Sequence, residues 1–319
     1  MQNAMRIAMM SGKRGPKPPA YGGLCFTAEA DNSSVQLTAV GAAPAVTLVK
    51  SFDGVNWEAY AVGEVIDLPS TGDFVYLAAG EGGNERFGSS TSAYHQFVIK
   101  GLVAASGDIT SLRRFDLEQT ALSTYCYAYM FQVCTGLTSA PELPATTINS
   151  QCYRNMFYGC TGLTSAPELP ATTLANVCYS SMFSGCTGLT SAPELPATTL
   201  TNACYNSMFR DCTGLTSAPE LPATTLATAC YNLMFSGCTG LTSAPELPAT
   251  TLVRNCYRSM FEGCTGLSII KVYFTAWGAQ TNSWVSDVSP TGTFYKPSAL
   301  PEEYDVSKIP TGWTVVNIG

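Results

Sequence analysis

From Cys126 onward the chain repeats itself. The pattern Cys-Tyr-x-x-Met-Phe-x-x-Cys-Thr-Gly-Leu begins at Cys126, Cys152, Cys178, Cys204, Cys230 and Cys256, a constant period of 26 residues. Between copies runs Thr-Ser-Ala-Pro-Glu-Leu-Pro-Ala-Thr-Thr, identical in all five intervals. A unit this short cannot bury an apolar face by itself. A strict period of this length therefore implies stacked units that share one continuous core.

On a helical wheel at about 100° per residue, Cys178, Tyr179, Met182, Phe183 and Cys186 fall within an arc of about 140°. Ser180, Ser181, Ser184 and Gly185 fall on the opposite side. The pattern predicts an amphipathic helix, stopped by Gly185 in a left-handed turn. Leu189-Thr190-Ser191-Ala192 predicts a short strand, which ends at Pro193 and Pro196 because proline cannot donate to a sheet ladder. The expected fold class is α+β: a right-handed solenoid of 26-residue repeats with strands about 4.8 Å apart in a parallel sheet.

The flanking sequence reads differently. Residues 22–108 alternate in short runs (Val35–Val40, Ala45–Lys50, Val65–Leu68, Phe74–Ala78, Gln96–Ile99) separated by Gly, Asp and Ser, which predicts a small β-sandwich. Residues 109–125 are expected to cap one end of the solenoid, 126–273 to form it, and 274–319 to be a β-rich C-terminal cap. Strands are expected at Ile269–Tyr273, where the solenoid ends, and in the cap at Thr293–Lys296 and Trp313–Val316. Residues 1–21 carry Arg6, Lys13, Arg14 and Lys17 with no acidic residue before Glu29. With Pro16, Pro18 and Pro19 they read as an extended basic arm, either a disordered tail or a docking strap for an acidic assembly. Ile7-Ala8-Met9-Met10 is too short for the apolar core of a secretory signal. Leu24 before Cys25 does not suit a lipoprotein anchor. No export route is expected.

The net charge of −7 argues against nucleic-acid binding, and no apolar run approaches the roughly 18 residues of a membrane span. The thirteen cysteines invite a disulfide or metal reading. Within a repeat they stand eight residues apart, about 12 Å along a helix, and a disulfide needs Cα atoms within about 7 Å. Free, buried thiols that act as small apolar fillers are expected, as in a reducing cytoplasm. His95, the single histidine, has no nucleophile motif beside it and reads as a surface or loop residue. No phosphate-binding or dinucleotide fingerprint is present. The sequon Asn32-Ser33-Ser34 matters only in a secreted eukaryotic context.

One column of charge stands out: Glu142, Glu168, Glu194, Glu220 and Glu246 occupy equivalent positions. At about 5 Å, neighbouring carboxylates repel by ~0.8 kcal/mol in water and ~3 kcal/mol at an effective dielectric of 20. The column must be wet or must bind cations. With Thr190 and Ser191 it forms the candidate binding ladder on the strand side. The helix side, which varies between copies (Arg154-Asn155, Ser180-Ser181, Arg258-Ser259), is the competing face.

Phe-x-Gly-Cys-x-x-Leu-Thr followed by a Pro-ended strand resembles the BspA-like bacterial leucine-rich repeats, over Cys126 to about Tyr273. The segments Ser51–Trp57, Gly72–Leu77, Gly101–Ile109, Gly292–Lys296 and Ile309–Val315 resemble the domains that flank such repeats in gut-bacterial and bacteriophage proteins. The resemblance implies a leucine-rich-repeat solenoid and a non-enzymatic adhesion protein. The expected role is a bacteriophage virion component (tail or head decoration) assembled in the bacterial cytoplasm, with a bacterial cell-surface adhesin as the alternative. An enzyme sited in the β-domain or caps is a second alternative. Expected partners are a virion or surface assembly through residues 1–21 and a host glycan or surface protein through the solenoid. A homo-oligomer is compatible with the sequence. No nucleic acid, membrane span, cofactor or metal is expected.

Overall fold

A computed structural model of the chain describes residues 23–113 and 122–318. The expected arm, 1–21, lies outside the described residues, as do residue 22 and the 114–121 part of the expected cap. Among the described residues the strands are β1 (Cys25–Ala28), β2 (Ser33–Val40), β3 (Leu48–Ser51), β4 (Glu58–Tyr60), β5 (Val65–Leu68), β6 (Phe74–Ala79), β7 (Gly88–Ser90), β8 (Ala93–Lys100), β9 (Val103–Ser106), β10 (Leu137–Ser139), β11 (Ile269–Lys271), β12 (Thr293–Pro297) and β13 (Thr314–Ile318). Two short 3-10 helices, Ile109–Leu112 and Ala279–Thr281, are the helical elements, and no α-helix is found among these residues.

The expected α+β class, a solenoid with a helix in every leucine-rich repeat, is therefore overturned: the described chain is strands and turns. The segment assigned to the helix shows why. Tyr153, Asn155, Phe157 and Gly159 donate their N–H groups to the carbonyls of Cys178, Ser180, Met182 and Ser184 in the next copy, at 2.8–3.0 Å. The intervening Arg154, Met156, Tyr158 and Cys160 donate to carbonyls three residues back. An α-helix would send every N–H four residues back. Every fourth residue is also left-handed, as at Val177 (φ 63°), Ser181 (φ 54°) and Gly185 (φ 76°). Such a residue cannot continue a right-handed helix, and its cost of roughly 1–2 kcal/mol outside glycine is offset by the bonds between copies.

Side chains follow the same period of four, two toward the core and two toward the outer side, where Ser180 and Ser184 are themselves covered by neighbouring coils to 7% and 4% exposure. Cys178, Tyr179, Met182, Phe183 and Cys186 are all at most 1% exposed. Over nine residues a period of four and a helical period of 3.6 select the same apolar positions, so the wheel could not separate them. The glycine of Cys-Thr-Gly-Leu has a different cause. A Cβ on Gly188 would stand 2.6 Å from the Thr161 carbonyl oxygen, because successive coils nearly touch there. The strand expected at Leu189–Ala192 is realised in one copy, as β10. Elsewhere single bridges such as Ser191 to Ser217 stand in its place.

Stacking aligns the buried side chains in columns. Tyr179 lies over Tyr205 at 5.8 Å between ring centroids and Phe183 over Phe209 at 5.7 Å, with planes within 3° of parallel. Each offset-stacked pair is worth about 0.5–1.5 kcal/mol beyond its buried area. The second cysteine of each copy adds a bond between coils: Cys186 Sγ donates to the Phe157 carbonyl at 3.0 Å, and Cys160, Cys212, Cys238 and Cys264 repeat the contact.

The N-terminal strands form two antiparallel sheets, β10-β9-β1-β6-β3-β4 (with β10 joined in parallel) and β5-β2-β8-β7. Strand β2 alternates buried and half-buried residues through Ser33–Thr38, as expected for a strand with one face on a core. Phe26 of β1 meets Phe97 of β8 across the two sheets, with centroids 4.9 Å apart. These sheets serve as the seat of the first coil. Phe87 and Phe97 donate N–H groups to the Cys126 and Met130 carbonyls at 2.8 and 2.7 Å. Their rings start the two aromatic columns, Phe87 against Tyr127 at 6.0 Å and Phe97 against Phe131 at 5.0 Å.

At the far end, a seventh coil without the repeat's sequence completes the stack. Tyr257, Ser259, Phe261 and Gly263 donate to the carbonyls of Gln280, Asn282, Trp284 and Ser286, and Ser283 and Asp287 are the left-handed residues. Trp284, fully buried, closes both columns against Tyr257 and Phe261. Strands β11, β12 and β13 form a parallel sheet beside it.

Because each coil bonds to its neighbours in the same way, removing residues 178–203, one whole unit, should leave a shorter folded protein. Its far-UV circular dichroism should lack helical minima and its melt should stay cooperative. Removing 178–190 shifts every partner and should abolish the cooperative melt. Equal melts for the two deletions would contradict the ladder.

Candidate functional site

The five column glutamates are exposed, one per coil in equivalent positions. In the core beneath them, rings stacked from one repeat to the next lie 5.4–6.1 Å apart between centroids. Four of the five, Glu142, Glu168, Glu194 and Glu220, have no ion-pair partner among the described residues, and Glu142 meets Asp108 of the N-terminal unit through its backbone. Glu246 accepts a 2.7 Å hydrogen bond from Lys271 Nζ and one from the Tyr273 hydroxyl at 3.3 Å. The bond from Lys271, ahead of the coulombic attraction, lowers the Glu246 pKa, and its counterpart raises that of Lys271. No group of three His, Cys, Asp or Glu side chains among the described residues is arranged to hold a metal ion.

Thr190 and Ser191 are also exposed. The Thr190 hydroxyl reaches the Thr164 carbonyl at 3.5 Å, and the Thr190 carbonyl accepts from Thr216 N–H at 3.3 Å. The predicted site residues thus lie together on one side of the stack as three parallel columns of hydroxyl, hydroxyl and carboxylate. This arrangement offers hydrogen bonds and negative charge at a fixed interval. It offers no nucleophile activated by a base.

Other residues singled out from the sequence have structural places. His95 is 2% exposed on β8, against the expectation of a surface or loop histidine. Its Nδ1–H donates to the Phe87 carbonyl at 3.1 Å, and burial lowers its pKa. In the Ser51–Trp57 loop, Asp53 accepts from the N–H groups of Val55 and Asn56 at 2.8 Å and from Asn56 Nδ2 at 2.6 Å. These bonds, first that from Asn56 N–H, hold its carboxyl well below the usual range.

Sequence reasoning missed two features. Lys271, Tyr273 and Tyr295 gather at the end of the glutamate column. On the turn side of the first coils, Tyr94 stacks on Tyr129 at 4.5 Å, near the exposed Val133 and Tyr158. The outward position of the period of four is the signal for Tyr129, Val133 and Tyr158. No repeat position announces Tyr295.

Compared with family models, curated proteins and solved structures, the chain matches none of them. Among the described residues no helix is long and apolar enough to cross a membrane.

All thirteen cysteines are free and buried. Thiol titration of denatured protein, with no reductant added, should count close to thirteen. A count near one would contradict the free-thiol reading. Burial also raises their pKa values from 9.0, to about 11 at Cys204 and about 12 at Cys178. An acid with a higher pKa folded than unfolded stabilises fully below its unfolded pKa and loses that contribution as pH rises through its folded pKa. Each such thiol costs up to about 1.4 kcal/mol per pH unit above pH 9. The urea midpoint should be flat from about pH 7 to 8, decline below about 6.5 because the unfolded chain protonates a histidine that burial keeps neutral, and fall steeply above 9. An unchanged midpoint at pH 10.5 would show that the thiols are not buried as described.

Proposed function

We propose that this is a non-enzymatic binding protein, a bacteriophage virion component (tail or head decoration) that contacts a glycan or protein on the host surface. The observation that carries the reading is a set of exposed columns: a glutamate in each of five coils, Glu142 to Glu246, and a Thr-Ser pair in four, Thr164-Ser165 to Thr242-Ser243. A polymer with a regular repeat meets identical neighbours at each step, so that weak contacts add up along its length. The rigid main-chain ladder beneath keeps the spacing fixed. The sequence likeness of Cys126–Tyr273 to BspA-like repeats, and the basic residues Arg6, Lys13, Arg14 and Lys17 in 1–21, support a place on a virion with that segment as the attachment. A bacterial cell surface is the alternative location.

A second reading places a protein partner on the turn side. The exposed Tyr158 and Val133, beside the half-buried Tyr94, favour it, because aromatic residues are enriched at protein interfaces.

Paired surface variants separate the two. The double variant Glu194→Lys with Glu220→Lys should reduce binding to host cells at least tenfold, while Arg154→Glu with Arg258→Glu leaves it within about twofold. The reverse outcome assigns binding to the turn side and overturns the ladder.

A further inference from the structure

The strand-side columns continue past the repeats. Parallel pairing carries the Ser191 position through Ser217, then from Ser243 to Ile269, and on to Thr293 and Thr314. The glutamate column is continued by Lys271, bonded to Glu246, and then in register by Tyr295 and Val316. The face therefore changes character at its end: Ile269 interrupts the hydroxyl column before Thr293 and Thr314 resume it, and the carboxylates give way to Lys271, Tyr295 and Val316. A shallow cleft of about 370 Å³, wide open to solvent, lies at this point, lined by Ser243, Glu246, Ile269, Lys271, Tyr295 and Ile318. Ile270 and Phe294 point the other way, fully buried in the core. Ile269 is 43% exposed.

The cleft joins two kinds of surface. One wall is apolar: Ile269, Ile318 and the Tyr295 ring. The other is the Lys271–Glu246 ion pair, steadied by the Tyr273 hydroxyl and by the Tyr273 ring, whose centroid lies 5.4 Å from Lys271 Nζ. The pair has no net charge. An ammonium has three donors and Lys271 commits one to Glu246, while the carboxylate keeps lone pairs unused. The exposed carboxylates of Glu220 and the coils before it, without ion-pair partners among the described residues, repel an anionic ligand at this end of the column. A purely apolar ligand would cover these donors and acceptors without matching them. A neutral ring with C–H faces and hydroxyls at its rim satisfies both walls, in the manner of mostly apolar sites with a few placed polar groups.

We propose that this cleft is a subsite for one neutral sugar unit, where a glycan chain lying along the ladder ends. Tyr295 stacks on the sugar face, and Lys271 and Glu246 take the rim hydroxyls. The assignment rests on the binding reading of the ladder but is tested apart from it.

The experiment titrates the full chain with maltohexaose, cellohexaose and the hexamer of N-acetylglucosamine by calorimetry, with hexagalacturonate as the charged control. Binding of at least one neutral hexamer is expected, weakened about tenfold or more by Tyr295→Ala and by Lys271→Met, and retained by Tyr295→Phe. Melting curves identify any variant that fails to fold, and Tyr295→Phe keeps the stacking arm readable in that case. Absence of binding by all three neutral hexamers, equal binding with Tyr295→Ala, or preference for hexagalacturonate overturns the subsite. If the subsite fails while Glu194→Lys with Glu220→Lys still abolishes host binding, the ladder stands alone. If neutral hexamers bind through Tyr295 while that pair has no effect on host cells, the subsite stands and the ladder falls.

Discussion

Every second N–H group of the Cys-Tyr-x-x-Met-Phe segment leaves its own coil and finds its acceptor in the next, as Tyr153 does at Cys178 and Phe157 at Met182. The rest of the repeat follows from this division of the backbone. Groups that bond between coils must point along the stack. The alternate groups close turns three residues long, and each second turn is completed by a left-handed residue. That geometry sends side chains outward and inward in pairs, which brings tyrosine over tyrosine and phenylalanine over phenylalanine. It also makes the repeat length rigid where the ladder runs and free elsewhere. In the last coil Tyr257 pairs with Gln280, so the connection has shortened while the register of the turns survives.

The period, the stacking of units and the inward set of Cys, Tyr, Met and Phe were legible in the sequence, because burial depends on the period of apolar residues and not on the conformation that produces it. The helix was misread for the same reason. Separating a period of four from one of 3.6 needs a longer run than nine residues, or a signal from the backbone bonds, which leave no mark on composition. Left-handed Ser181 and Val177 gave no warning, since the chain accepts non-glycine residues there. The seventh coil was hidden because Gln280, Thr281, Trp284 and Val285 replace Cys, Tyr, Met and Phe. The glutamate column could be read from its spacing. Its continuation through Lys271 and Tyr295 could not, because those residues become neighbours only through strand register.

The cysteines show how a buried position can select a residue for more than size. The Phe157 carbonyl already accepts the N–H of Cys160, and the Cys186 thiol fills part of its remaining capacity from the next coil. Alanine or valine would pack there without donating. Serine would donate, but a buried hydroxyl is costlier to take from water than a thiol. Weak S–H bonds at every interface thus add to the ladder with little desolvation penalty. The same bonds keep the sulfurs directed at carbonyls along the stack.

The exposed strand-side residues divide along the same line. Thr190 and Ser191 have structural reasons to recur, since Thr190 bonds to Thr164 and Ser191 bridges to Ser217. Pro193 and Leu195 turn the chain back into the core. Glu194 stands apart: among the described residues its carboxylate meets no ion-pair partner, and it is exposed. A row of like carboxylates one coil apart opposes stacking by roughly 0.8 kcal/mol per neighbour at about 5 Å in water. The stack tolerates that cost at five successive coils and relieves it at the last, where Lys271 meets Glu246. Stacking therefore accounts for the hydroxyl columns and works against the carboxylate one. The physical case for a binding face consequently rests more on Glu194 and its equivalents than on the threonines and serines beside them.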